Sequence, residues 1–187
     1  MDPGLDTQAA GTKIFGDWRT WYLLSASWMK SLTWSRTSRS PDPAWYETGA
    51  YSQNQQLGDN LAIAFRANTN VHGAYFSPAR INLWWGANAQ PPAGNRASTF
   101  GRSVFLDSNT PLSFIRCCGL PLLSHEYIHV LQWQGRGADF ALEYAARLGF
   151  GTGPSNKLEA PGYLWEGWMS YFHRYGERPS WEVFKPL

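Results

Sequence analysis

Residues 121–134, PLLSHEYIHVLQWQ, run without an internal helix breaker from a proline suited to a first helical turn to the glycines of Gly135-Arg136-Gly137, which end the run. A helix over this stretch constrains its side chains more than any other segment of the chain does. His125-Glu126-Tyr127-Ile128-His129 falls in its middle, and the i,i+4 spacing puts both imidazoles on one face, about one turn apart. Two ring nitrogens so placed can reach one ion.

The rest of the chain supplies a frame for that helix. From Asp17, a suitable N-cap, Trp18, Trp21, Tyr22, Trp28 and Met29 recur at helical spacing, and the helix they predict stops in the Ser- and Pro-rich residues 35–43. Two apolar, partly alternating runs, residues 61–65 (LAIAF) and 79–85 (ARINLWW), read as strands separated by polar, Gly and Pro punctuation. Residues 86–98 read as a loop and residues 99–107 (TFGRSVFLD) as a third short strand. After the motif helix, Phe140, Tyr144 and Leu148 keep helical register, a Gly-rich loop follows, and a last helix is expected over residues 159–175. Helix, strands, then helices is the order of an α+β domain: a small, mostly antiparallel sheet with the motif helix and further helices packed against it. A single domain over residues 1–187 fits the length, and no internal repeat breaks it.

Composition narrows the function classes. With 43% hydrophobic and 16% charged residues the chain belongs with folded globular proteins. A net charge of +2 without any Lys/Arg run lacks the electrostatic footprint of a nucleic-acid binder, and no stretch approaches the 18 or so apolar residues of a membrane span. The first residues lack a basic region leading into an apolar one, so the expectation is a cytoplasmic protein or one exported by a dedicated secretion or injection machine, not a Sec substrate. The adjacent cysteines Cys117 and Cys118 read as free thiols, because a bridge between neighbours is strained. Eleven Trp, nine Tyr and ten Phe fit either an aromatic core or exposed platforms for sugar stacking, and burial is the commoner fate.

The chemistry follows from the motif. A catalytic zinc ion takes three protein ligands and keeps one position for water, whose pKa it lowers to about 7. His125 and His129 supply two ligands, and Glu126, beside the first, is placed to act as general base. The third must come from downstream: Asp139, Glu143, Glu159, Glu166, Glu177, Glu182 or His173. Glu143 reads as part of a solvated helix face, and His173 lies about 21 Å along the axis from Glu159. Glu159 and Glu166 remain, since the loop before the last helix can turn it back alongside the motif helix. Tyr163, one turn after Glu159, would face the metal as an oxyanion donor or simply pack. His72 is assigned no role.

LLSHEYIHVLQWQGRGADFALEYAARLG followed by NKLEAPGYLWE resembles bacterial zincin domains of the His-Glu-x-x-His-Val-x-Gln type, found in toxin-like and injection-system-associated proteins. The likeness covers roughly residues 98–170 and includes Thr99-Phe100-Gly101-Arg102-Ser103-Val104-Phe105, similar to the strand that precedes the motif helix in that family. It implies a gluzincin-like metallopeptidase with Zn2+ held by His125, His129 and Glu159, Glu126 as catalytic base, and Glu166 in reserve as third ligand. It further implies a peptide or protein substrate extended along the edge strand near residues 99–106. Asp2-Pro3-Gly4-Leu5 is similar to the junction that precedes toxin domains of Rhs-type proteins, one residue short, which points to a carrier or secretion-machine partner. Two alternatives stand beside this reading: a catalytically inactive, Trp-rich zincin-like module binding glycan or protein, and a zinc amidase acting on cell wall.

Overall fold

The computed structural model describes residues 53–67, 72–76, 81–85, 96–107, 113–114, 118–147 and 153–175. The helix expected from Asp17 lies outside the described residues. In chain order the elements are α1 (Gln53–Ala67), β1 (His72–Phe76), β2 (Ile81–Trp85), β3 (Ala97–Phe100), β4 (Ser103–Leu106), α2 (Leu120–Arg136), α3 (Ala138–Arg147) and α4 (Ala160–Tyr175). The domain is α+β, and none of the described helices is long and apolar enough to cross a membrane.

The four strands form one mixed sheet in the order β1-β2-β4-β3, antiparallel except where β2 runs parallel to β4. Period-2 alternation sorts the side chains of its central strands between two cores. Ile81, Leu83, Trp85, Val104 and Leu106 pack with Leu123, Ile128 and Val130 of α2 and with Trp165, Trp168 and Met169 of α4. Trp84 and Phe105 point the other way and meet Ala62 of α1. The sheet is therefore covered on both faces, which explains why every residue of β2 is buried, the polar Asn82 included.

Four expectations are corrected. Residues 61–65 are helical, being the second half of α1. Among its described side-chain positions Gly58, Asp59 and Ala62 are buried, at helical spacing, while Leu61 and Ile63 stay exposed at 42% and 41%. The small side chains let α1 lie against the turn between β3 and β4: a Cβ on Gly58 would come within 2.4 Å of Gly101 N. Residues 99–107 form not one strand but a hairpin, because Gly101, at φ 57°, turns the chain between Phe100 and Ser103. A strand also occupies residues 72–76, in the stretch read as punctuation, so the described residues hold four strands rather than three. Cys118, just before α2, is disulfide-bonded instead of carrying a free thiol.

Candidate metal centre and cleft

The motif helix and the last helix form as expected, within one or two residues of the bounds read from sequence. They pack closely because Gly162 has no side chain: a Cβ there would come within 2.8 Å of the His125 ring. Glu159 stands immediately before α4, in a turn set by Asn156. The buried side chain of Asn156 accepts the Leu158 N–H at 3.0 Å, and its carbonyl accepts the N–H groups of Glu159 and Ala160 at 2.9 and 2.8 Å. That local turn, not helix phase, aims the Glu159 carboxylate at α2.

His125, His129 and Glu159 converge and are all buried, with one ligand atom of each within 4.8 Å of the others. Glu159 Oε2 lies 3.0 Å from His125 Nε2 and 3.5 Å from His129 Nε2. Ligand atoms about 2.05 Å from a tetrahedral zinc are about 3.3 Å apart, so these separations match the edges of such a site.

The outer atoms of the same side chains support this arrangement. His129 Nδ1 sits 2.7 Å from Gln132 Oε1, and the Gln132 amide is oriented by donating from Nε2 to the Leu158 carbonyl at 2.8 Å. An acceptor oxygen on Nδ1 places the ring proton there and leaves the Nε2 lone pair facing Glu159. His125 Nδ1 faces Glu166 Oε2 at 3.3 Å, which favours the same tautomer. Nε2 of each ring then faces the same carboxylate oxygen, and a proton or a cation is needed between imidazole and carboxylate. These residues fit a divalent metal of the zinc class.

Glu159 and Glu166, both open as third ligand in the sequence, thus take different places: Glu159 is on the Nε2 side of both rings, and Glu166 is behind His125. Glu166 also accepts from the exposed Arg96 at 2.5 Å. The remaining carboxylates are elsewhere. Glu143 pairs with Arg136 and Arg147 on the surface of α2 and α3, as the solvated-face reading has it, and Asp139 is exposed. Glu177 and Glu182 lie outside the described residues. His173 is exposed near the far end of α4, and His72 falls in β1.

Negative charge dominates the electrostatics. At His125 burial opposes the charged ring, but hydrogen bonds to Glu159 and Glu166, with the nearby Glu126 charge, outweigh it and push the pKa up to about 9. Burial alone would raise Glu159, yet its contacts with His125, His129 and Tyr144 hold it well below the usual carboxylate range. Tyr144 donates its hydroxyl to Glu159 Oε1 at 2.5 Å, and burial with that carboxylate pushes the phenol far above its ordinary pKa. Tyr144 is therefore a fixed donor that occupies one Glu159 oxygen and leaves Oε2 to the two histidines.

Glu126 is also buried, and Thr99 Oγ1 of β3 donates to its Oε2 at 2.6 Å. The Tyr163 ring stands perpendicular to that of His125, centroids 4.7 Å apart, and the residue lines the cleft. The cleft, of about 350 Å³, is floored by His125, Glu126, His129 and Glu159 and bordered along one side by the whole of β3. Trp84, Trp85, Trp165 and Trp168 are 3%, 1%, 2% and 1% exposed, so none of these four offers a ring face for sugar stacking.

Sequence reasoning passed over Thr99, Tyr144 and Asn156, whose parts depend on contacts 27, 15 and 2 residues away. Gln132 carried a signal, since an i,i+3 partner of His129 lies on the same helix face. No known protein family, curated protein or solved structure matches the chain.

Proposed function

We propose that this chain is a zincin-like, zinc-dependent metallopeptidase that hydrolyses a peptide bond. The observation that carries the reading is the convergence of His125 Nε2, His129 Nε2 and Glu159 Oε2 on the floor of an open cleft, with the carboxylate of Glu126 beside them. Zinc held by these three groups would supply Lewis acidity toward water and the scissile carbonyl.

The chain's own residues account for the rest. Glu126, oriented by Thr99, takes a proton from the attacking water and returns it to the leaving nitrogen, so that water and peptide become a carboxylate and an amine. Glu166 and Gln132 hold the two imidazoles in the tautomer that presents Nε2. Tyr163, at the cleft wall over His125, is positioned to donate to the oxyanion, a part Tyr144 cannot take because its hydroxyl is committed to Glu159. A peptide or protein is the substrate that suits an open cleft bordered by a strand edge. The likeness to toxin-type zincins in residues 98–170 makes delivery by a secretion or injection machine part of the same proposal.

Elemental analysis of the purified chain beside a His125→Ala/His129→Ala variant tests the site: about one zinc per chain, lost in the variant, is expected. Glu126→Gln should keep the zinc and lose turnover by at least about a hundredfold on a protein such as casein. Absence of zinc from both proteins after zinc is added would refute the proposal. Release of product from purified cell wall but not from casein would move the reaction to an amidase.

A further inference from the structure

The cleft is not symmetrical about its floor. On the His125 side it is bordered by Arg96, Tyr163 and, behind them, Glu166. On the His129 side the walls are aromatic. Phe140 lies against His129 with centroids 6.0 Å apart, and Trp133 meets Phe140 edge to face at 5.4 Å. Both are 3% exposed, which makes them rigid walls set in a core. Phe100 and Leu61 close this half from β3 and α1, and Ala141 and Ala145, one turn apart on α3, face it with only methyl groups. The room left by those two alanines is a hollow with apolar sides.

Strand β3 fixes how a peptide would pass through. Asp107 N donates to Arg96 O, and the pairing register continues through Ser98 opposite Phe105 and Phe100 opposite Ser103. Residues 96, 98 and 100 therefore turn their main-chain groups toward β4, and Ala97 and Thr99 turn theirs toward the opposite edge. The Thr99 carbonyl accepts from Trp133 Nε1 at 3.1 Å, while Ala97 presents an N–H and a C=O together, the pair that one residue of an antiparallel partner closes. β3 runs from the Arg96 end to the Phe100 end, so an antiparallel peptide has its N-terminal side in the aromatic half.

Resting on the metallopeptidase reading, we infer that the hollow between Trp133, Phe140, Phe100 and Ala145 is the specificity pocket, and that it takes a bulky apolar side chain from the residue on the N-terminal side of the scissile bond. Its substrates are peptides with Leu, Met, Phe, Tyr or Trp at that position. Transferring such a side chain from water to an apolar pocket separates it from Gly by about tenfold or more. Ala145 is exposed and helical, so Ala145→Trp fills the hollow without disturbing the core.

The test is to digest a randomised peptide library with the zinc-loaded full chain and sequence the products by mass spectrometry. Cleavage after bulky apolar residues at least about tenfold above cleavage after Gly, with Ala145→Trp erasing most of that margin while binding zinc as the parent does, is the expected result. A flat profile, or apolar residues enriched only on the C-terminal side of the cut, overturns the inference. If no peptide is cut, the hydrolase reading fails and binding decides the pocket. Fluorescein-labelled peptides differing by Leu or Gly at one position are titrated onto Glu126→Gln and onto Glu126→Gln/Ala145→Trp. A preference of about tenfold for Leu in the first protein, lost in the second, supports the pocket, and equal affinities overturn it.

Discussion

The two histidines of one helix, four residues apart, are held by opposite means. His125 is packed among charges: Glu159 faces one ring nitrogen, Glu166 the other, and the ring lies against the bare backbone of Gly162. His129 shares Glu159 at Nε2, but its other nitrogen meets a neutral amide, that of Gln132, and its ring lies beside those of Phe140 and Tyr144. Identical residues at ideal spacing thus receive one support that is electrostatic and sterically tight and another that is neutral and aromatic. The first makes the site favour a cation, while the second lets half of the cleft remain apolar beside it. Steric and charge changes on the His125 side should therefore cost more metal affinity than changes on the His129 side.

The comparison breaks most readily at Gly162. Gly162→Ala sets a methyl where the His125 ring now sits, and zinc affinity measured by chelator competition should fall by roughly a hundredfold with the fold retained by circular dichroism. Unchanged affinity would mean the ring has room to move and the tight support is illusory. Glu166→Gln keeps the shape and removes the charge behind His125, and a loss of about tenfold is expected in the same assay.

Next comes a pH effect where α1 meets the β3–β4 turn. Asp59 of α1 is buried, its Oδ1 accepting the Arg102 N–H at 2.9 Å, and burial pushes its pKa up to about 6 despite that bond and the Arg102 charge. A folded-state pKa above the unfolded value means that the native state binds the proton more tightly. The protonated carboxyl thus favours folding at low pH, and that contribution is lost as pH rises from about 4 to about 6. Asp59→Asn, which mimics the protonated form, should be more stable than the parent by on the order of 1 kcal/mol above pH 6, with the gain vanishing below pH 4. Thermal melts at the two pH values check it, and a gain that persists in acid would contradict the assignment.

The smallest effect is expected at Gln132. Gln132→Leu removes a neutral acceptor from His129 Nδ1 while the aromatic packing stays, so zinc affinity should drop only about threefold, below the range usual for charged supports. A loss larger than that of Glu166→Gln would reverse the comparison.

Much of the site was legible because it is local. One helix carries His125, Glu126 and His129, and spacing alone puts the two rings on one face. The α+β order was legible for a similar reason: α2, α3, α4 and β2 each carry a periodicity that a single segment displays. Where a segment depended on its neighbours the reading failed. Residues 61–65 show partial alternation and yet are helical, because Gly58 and Ala62 form a small-residue face for the Gly101 turn and the sheet, and no pattern within LAIAF records that. The β3–β4 hairpin hid in one apolar run because its turn needs only one glycine with positive φ.

By itself, then, the sequence determined the motif helix, the pair of histidines on one of its faces with Glu126 beside the first, and the helices that follow. These rest on interactions within about one turn of helix, which residue spacing encodes. Only the tertiary structure gave Glu159 and Glu166 their separate places around His125. The Asn156 turn carries Glu159 to the inner nitrogens, while helix packing over Gly162 puts Glu166 behind the ring. It alone brought Thr99 to Glu126, Tyr144 to Glu159, and Trp133 with Phe140 to one half of the cleft. Such contacts are made by chain segments far apart in sequence, and their distances are set by how the α2–α4 layer and α1 close on the sheet.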